Sequence, residues 1–408
     1  MDFFIVKLLN CCYTEHKVYP MKICLINNLY PPYSVGGAER VVERIAKEAV
    51  KNGDQAVVIT WRPWVGLKSW QPIRTVEDGV VIYRFWVPNI FSYKNLAKHN
   101  FVLKLIWHKI DIFNCFSARI IKKILEQKKP DEVQTHNLMG IGFGAPRVIQ
   151  KLGIKHTHYL HDVQLVEPSG VLPWNHERDS LWQKIYSLVI KSRFGRPDAI
   201  ISPSKFLVEF YQKRGFFCGS QWLTTPSRLE RDTPPSKGGD NLVSPYEGEM
   251  PRHTPGQRGR GFLFVGSLVD HKGIRVLMKA WDMVDKNARV ELHIVGDGEL
   301  KKEVEEWARG TNSPPDPSLE KRGDDRVKVY GRLNEKELEE VYKKSDVLIF
   351  PSICIENHPT VIDEAHRFGL RVIASDTGGV KEMMGEGDVL VVPGETHPLT
   401  PLLGREGD

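Results

Sequence analysis

Short runs of branched apolar residues alternate with longer amphipathic stretches along most of the chain, and they do so in two series. The first series reads as strands at Lys22–Asn27, Ala56–Thr60, Val80–Phe85, Asp131–Thr135, Lys155–Leu160 and Asp198–Ser202. Helical stretches lie between them, the first from about Ala38 to Lys51, where Asn52-Gly53 stops it. The second series begins at Gly261, with strands at Phe262–Val265, Val290–Val295, Arg326–Tyr330, Val347–Phe350, Val372–Ala374 and Val389–Val392. Helices at about Gly273–Val284, Glu299–Arg309, Glu335–Lys344 and Pro359–Arg367 separate those strands. Alternation of this kind implies parallel sheets covered by helices on both faces. A chain of 408 residues has room for two such cores. The expected fold class is therefore α/β, with two Rossmann-like doubly wound domains and a cleft between the carboxyl ends of their strands, where such sheets take ligands.

Residues 226–260 interrupt the pattern, being rich in Pro, Gly, Ser and charge and lacking periodicity. The expected divisions are an extension at 1–20, a first domain at 21–220, a low-complexity linker at 221–260, a second domain at 261–394 and a tail at 395–408. Residues 233–240, 313–324 and 400–408 share a composition, as though one element had been inserted three times, and none is expected to form core. Met21 opens the first strand pattern directly, so residues 1–20 read as an ornament or an artefact of start-site choice.

The six cysteines, Cys11, Cys12, Cys24, Cys115, Cys218 and Cys354, form no Cys-x-x-Cys pair and no zinc spacing. A reduced, cytosolic setting is expected. No run reaches the apolar length of a membrane span, and Phe3–Cys12 is short and broken by Lys7 and Asn10. The net charge of +6 permits weak attraction to nucleotides, phospholipid surfaces or anionic substrates. Neither Gly36-Gly37 nor Gly296-Asp297-Gly298 has the Gly-x-Gly-x-x-Gly spacing, which argues against a dehydrogenase.

The most informative chemistry lies at Phe350–Ala365. A strand ends there, a polar turn carries Glu356, Asn357 and His358, and a helix opens with Pro359 at its first position, followed by Thr360 and Val361. A helix opening at the carboxyl end of a parallel strand offers free N–H groups and a positive dipole end to an anion such as a diphosphate. Glu364, eight positions after Glu356, can accept two hydrogen bonds from a vicinal diol such as a ribose.

This run resembles the Glu-x7-Glu motif of retaining GT-B glycosyltransferases of family 4, and the resemblance extends from Met21 to about Gly394. Gly36-Gly37-Ala38-Glu39 looks like the family's Gly-Gly-x-Glu loop, which faces the donor phosphate and the acceptor. Gly266-Ser267-Leu268-Val269-Asp270-His271-Lys272-Gly273 resembles its Gly-Arg-Leu-x-x-x-Lys-Gly stretch; Lys272 is kept, and Ser267 stands where the arginine is usual, losing a bidentate cation. His161-Asp162 resembles the family's His-Asp step, where the histidine approaches the transferred sugar. Asp376–Glu382 resembles its Gly-Gly-x-x-Glu turn, with Gly378-Gly379 serving the turn. His156, His158 and His161 together raise metal binding, but no third ligand is placed for it, and no metal is expected.

The resemblance implies a GT-B fold and metal-independent transfer of a hexose-type sugar, with retention, from a nucleotide-diphosphate sugar to a hydroxyl of a glycan or lipid-linked glycan. No cofactor is implied beyond that substrate, and no nucleic-acid partner. Gly36, Gly37, Ser267, Lys272, Glu356, Asn357, His358, Pro359, Thr360, Val361 and Glu364 would bind the donor; Glu356, His161 and Lys272 would act in transfer. In the family the chain runs on past the position of Gly394 and crosses back onto the first domain, so a lighter clasp or a weakened enzyme is also expected. The alternatives are a nucleotide-sugar-binding protein of the same fold and a relative of the nucleotide-sugar 2-epimerases.

Residues 93–129 interleave nine basic residues with Phe101, Leu105, Trp107, Ile110, Phe113 and Phe116, against two acids. They read either as amphipathic helices packed on the first sheet with a solvated basic face, or as a segment in peripheral contact with an anionic membrane, at its inner face.

Overall fold

A computed structural model describes residues 19–33, 36–224, 260–310 and 325–393. The three similar segments at 233–240, 313–324 and 400–408, and nearly all of the extension and linker, lie outside the described residues. Two compact units emerge. One takes the chain up to Gly170 and Glu177–Thr225; the other takes Val171–His176 and the chain from Pro226 onward.

The first unit is an eight-stranded sheet in the order β3-β4-β2-β1-β5-β6-β7-β8. Its strands are β1 (Lys22–Ile26), β2 (Gln55–Trp61), β3 (Ile73–Glu77), β4 (Val80–Phe85), β5 (Glu132–Thr135), β6 (Lys155–Tyr159), β7 (Ala199–Ser202) and β8 (Gln221–Thr224). All neighbours are parallel except β3, which runs antiparallel to β4. Apolar patterning alone does not predict that hairpin, because β3 is largely exposed. Its turn is Asp78-Gly79, both at positive φ, a two-residue signal for such a connection. The linker expected from 221 starts later, because Gln221–Thr224 pairs with β7.

The helices of this unit are α1 (Gly37–Lys51), α2 (Phe101–Ile112), α3 (Cys115–Lys128), α4 (Ala145–Lys151), α5 (Leu181–Phe194) and α6 (Lys205–Gln212). Helix α1 forms because Val42, Ile45, Ala46 and Ala49 recur on one face, which packs on Ile23, Leu25, Val58 and Ile82 of the sheet. Burying each such branched side chain contributes about 1.5–3 kcal/mol. The segment at 93–129 becomes a short turn of helix at Tyr93–Lys98, then α2 and α3. Helix α3 packs through Ser117, Ile121, Ile124 and Leu125, whereas α2 buries Trp107, Asp111 and Ile112 and leaves Phe101, Val102 and Ile106 exposed.

The second unit is a six-stranded parallel sheet, β11-β10-β9-β12-β13-β14. Its strands are β9 (Arg260–Val265), β10 (Val290–Val295), β11 (Val327–Gly331), β12 (Val347–Phe350), β13 (Arg371–Ser375) and β14 (Val389–Val391). Helices α7 (Ile274–Asp282) and α8 (Lys301–Ala308) share one core with Phe262 and Phe264. Helices α9 (Glu335–Lys343) and α10 (Thr360–Arg367) share the other with Leu263 and Leu348. Successive residues of β9 thus feed opposite faces, which is how a strand buried on both sides must be built. Strand order reverses beside β1 in the first sheet and beside β9 in the second. The crevice at such a reversal, beyond the carboxyl ends of the strands, is where open sheets of this type hold ligands. No helix among the described residues is long and apolar enough to cross a membrane.

Candidate active site

In the second unit the reversal lies between β10 and β12, the two neighbours of β9. The loop after β9 carries Ser267 and Lys272; the loop after β12 carries Glu356 and opens α10. These loops are tied together. The His271 carbonyl accepts the Ile353 N–H at 3.0 Å, and Gly273, at φ +75°, could not bear a side chain: a Cβ there would lie 1.8 Å from the Pro351 carbonyl oxygen. Lys272 is thereby brought to Glu356, with Nζ 2.6 Å from Oε1. The Ser352 hydroxyl donates to the same oxygen at 2.7 Å, and the Cys354 thiol at 3.5 Å. Burial and the Glu356 charge push that thiol up to about 11, so it stays protonated. Burial alone would lower the Lys272 ammonium; Glu356, through its charge and hydrogen bond, carries it above its ordinary value.

The backbone of Glu356 is fixed from the far side. Its carbonyl accepts the Gly379 N–H at 2.9 Å, and a Cβ at Gly378 would come within 2.2 Å of that carbonyl oxygen. The Gly378-Gly379 turn is therefore required by the approach of residue 356. A further strut comes from residues 171–176: the Ile355 N–H donates to the Leu172 carbonyl at 2.8 Å, the Trp174 N–H donates to the Ile353 carbonyl at 3.2 Å, and Pro173 bridges Cys354.

Helix α10 starts at Thr360, with Pro359 as its N-cap at φ −66° and ψ 111°, one position earlier than the first-turn place expected from sequence. No side chain caps it. Asn357 is buried, His358 Nε2 lies 2.9 Å from Asp363 Oδ2, and Thr360 and Val361 are half-buried. Glu364 accepts the Tyr342 hydroxyl at 2.9 Å on Oε2. Tyr342 is fully buried and stacks on Phe368 with centroids 5.0 Å apart. Ser267 is exposed. Sequence pattern alone assigns no site role to Ser352, Cys354 or Tyr342. The serine and cysteine sit four and two positions before Glu356, an alternation that points side chains to one side of an extended run. Tyr342 lies on another helix and leaves no local signal.

In the first unit, Gly36 precedes α1 in extended conformation, and the Glu39 carboxylate reaches back to its N–H at 2.7 Å. A Cβ on Gly37 would meet nothing within 4 Å. Among the described residues, nothing packs against position 37 closely enough to require glycine there. Beyond β5 and β6, His136 Nδ1 and His161 Nε2 lie 2.9 Å apart, and His136 also stacks on Tyr159. Burial pushes His161 down to about 4, and burial together with neighbouring imidazoles holds His136 well below its ordinary value. Burial raises Asp162 to about 6, against the lowering effect of the Gln164 N–H. His156 and His158 instead share the Thr135 hydroxyl, at 2.8 and 2.9 Å. The three histidines of the sequence motif thus divide between two hydrogen-bonded sets. Among the described residues no group of three or more His, Cys, Asp or Glu is arranged to hold a metal ion.

The family model for group 1 glycosyl transferases matches residues 249–399, and that for glycosyltransferase family 4 matches residues 35–217. Together they take in most of the chain. An uncharacterized glycosyltransferase of Methanocaldococcus jannaschii is 24% identical over 390 residues, covering 89% of this chain and 83% of its own length. An uncharacterized protein of the cps region of Klebsiella pneumoniae is 29% identical over 207 residues, which is 50% of this chain and only 54% of that relative. Among solved structures, sucrose-phosphate synthase of Thermosynechococcus elongatus superposes with a TM-score of 0.63 at 17% identity, covering 93% of this chain and 88% of the other. Anabaena HepE in complex with UDP-glucose gives a TM-score of 0.57 at 17% identity, covering 94% and 88%. Two parallel-sheet α/β units of this order make the GT-B fold. The chain belongs to the group 1 glycosyltransferases.

Proposed function

We propose that the protein transfers a hexose-type sugar from a nucleotide-diphosphate sugar, with retention of anomeric configuration, to a hydroxyl of a glycan or lipid-linked glycan. The observation that carries this reading is the Lys272–Glu356 pair at 2.6 Å, held at the strand-order reversal of the second sheet and next to the uncapped start of α10. HepE, solved with UDP and with UDP-glucose, supports a nucleotide-sugar donor for a chain of this fold. Lys272 and the N–H groups at Thr360 and Val361 would meet the charge that grows on the leaving diphosphate, stabilising the transition state more than the ground state. Ser267 and the backbone at Asn357–Pro359 would line the same anion. Glu364 would take the ribose and Glu356 the donor sugar while holding Lys272 in place. In the first unit, Gly36-Gly37 would admit the donor phosphate and the acceptor, and neutral His161 would accept from or donate to a sugar hydroxyl. The acceptor hydroxyl would give its proton to the departing phosphate oxygen as the new glycosidic bond forms and the anomeric C–O bond breaks. No metal ion is assigned a part in this scheme.

Turnover of a panel of nucleotide-diphosphate sugars, followed by product NMR, tests this reading. Lys272→Met and Glu356→Gln should each lower turnover by roughly 100- to 1000-fold with the fold intact. Unchanged turnover in both variants would reject the assignment. The exposed Ser267, where the family has an arginine, favours the second reading, a nucleotide-sugar-binding protein with weakened catalysis. Saturable donor binding with no turnover in the unsubstituted protein would select it. Release of a 2-epimer from labelled donor without acceptor would select the epimerase relative instead.

A further inference from the structure

The backbone of residues 352–356 is held from three directions: the Ile353 N–H by the His271 carbonyl, the Ile355 N–H by the Leu172 carbonyl, and the Glu356 carbonyl by the Gly379 N–H. The side chains of Ser352, Cys354 and Glu356 come together on that mount. Ser352 and Cys354 are both buried, with Oγ 3.4 Å from Sγ. The Ser352 hydroxyl has one hydrogen and two acceptors within reach, Glu356 Oε1 at 2.7 Å and the His271 carbonyl at 3.2 Å. The shorter contact is to the charged group, and the carbonyl already takes the Ile353 N–H, so the hydrogen goes to Glu356. The protonated thiol then donates to Ser352 Oγ, or to Oε1 itself at 3.5 Å. With Lys272 Nζ at 2.6 Å, three donors converge on Oε1. A carboxylate oxygen has two lone pairs, so this one is fully subscribed. Oε2 receives no hydrogen bond from the described residues.

We propose that Ser352, with Cys354 behind it, is a positioning residue for transfer: it locks the Glu356 carboxylate so that Oε1 is spent on the protein and Oε2 is presented to a hydroxyl of the donor sugar. This inference rests on the donor assignment made above and adds to it which oxygen meets the sugar and what that oxygen recognises. A carboxylate paired with an ammonium can only accept, so the group opposite Oε2 has to be a hydroxyl or another hydrogen-bond donor; an ether oxygen or a carboxylate at that place is selected against. The arrangement also separates two duties. When Lys272 is drawn toward a diphosphate, the serine still holds Oε1. Without the serine, the carboxylate keeps only a flexible lysine and a weak thiol donor, and its torsions are no longer fixed for the reacting geometry.

Steady-state turnover of the best donor in the nucleotide-diphosphate-sugar panel, with titration of the matching nucleoside diphosphate, tests the proposal. Ser352→Ala should lower kcat/KM for that donor about tenfold or more, and Cys354→Ala about twofold, the thiol being the weaker donor. Affinity for the nucleoside diphosphate, which has no sugar for Glu356 to meet, should stay within about twofold in both variants. In a Glu356→Ala background, Ser352→Ala should cost less than about twofold more, because it acts through the carboxylate. A serine that merely fills space lowers both backgrounds alike, and that result overturns the proposal. Unchanged kcat/KM in Ser352→Ala, or lost affinity for the nucleoside diphosphate, overturns it as well. Where the unsubstituted protein binds donor without turning it over, the same comparisons are made on donor affinity. A protein that binds no member of the panel overturns the donor assignment itself, and this inference with it.

Discussion

His158 Nδ1 lies 3.0 Å from the Thr135 carbonyl oxygen, which can only accept, so that nitrogen carries a hydrogen. The Thr135 hydroxyl also lies 2.8 Å from His156 Nε2, and His156 Nδ1 is buried with no hydrogen-bond partner among the described residues. Both rings are neutral: burial lowers His156 to about 4 and holds His158 well below its ordinary value. The sign of the pH effect follows. The unfolded chain takes up a proton on each imidazole near 6.5, and the folded chain refuses it, so stability is lost as pH falls from 6.5 toward 4. Each such group contributes a slope of up to about 1.4 kcal/mol per pH unit. Asp111 and Asp162, raised by burial to about 7 and about 6, act in the opposite sense, because the unfolded chain ionises them first. The difference between two proteins isolates the histidine contribution. His156→Gln should show a shallower fall in unfolding midpoint from pH 6.5 to 4 than the unsubstituted protein, and an equal fall would contradict a neutral buried ring at 156. The sequence brought these histidines into view by spacing alone. Their division into two sets depends on Thr135 at the end of the neighbouring strand and on His136 just after it, which no local pattern reveals.

Loops at the strand ends are set by glycines that differ in kind. Gly273 and Gly378 sit at φ +75° and +64° with a carbonyl oxygen pressed against each, whereas Gly37 has open space. Gly273→Ala and Gly378→Ala should each destabilise the second unit by more than about 2 kcal/mol. Gly37→Ala should leave the unfolding midpoint within about 0.5 kcal/mol of the original and instead weaken donor binding. Calorimetry and donor titration together check this contrast. The parallel strands were legible because runs such as Val347–Phe350 are apolar throughout and end at Gly, Asn or Pro. Strand β3 was not, since Ile73–Glu77 is largely exposed and gains its order from pairing with β4; the Asp78-Gly79 turn was the available signal. Gln221–Thr224 was absorbed into the low-complexity stretch beside it, and residues 171–176 have no period to read. Of the candidate site, Lys272 and Glu356 stood out as charged residues at strand ends, while their hydrogen-bond partners depend on the fold.

At the level of the whole molecule, the residues assigned to the nucleotide all lie in the second sheet and its loops, apart from Gly36 and Gly37. A ligand that binds only the native state stabilises it by about 2.7 kcal/mol at 100 times its dissociation constant. Saturating UDP should therefore raise the unfolding temperature. It should also slow hydrogen exchange at residues 271–273 and 352–364 first, and EDTA should leave both effects in place. Protection confined to the first sheet would move the nucleotide site elsewhere. The path of the chain bears on how this can be studied. It enters the second unit at Val171, returns at Glu177, and comes back for good from Pro226. A gene fragment starting at the linker would omit the hexapeptide that hydrogen-bonds the peptide just ahead of Glu356, so the two halves cannot be severed there without opening the loop that carries Glu356. A separable second half needs that hexapeptide supplied alongside it.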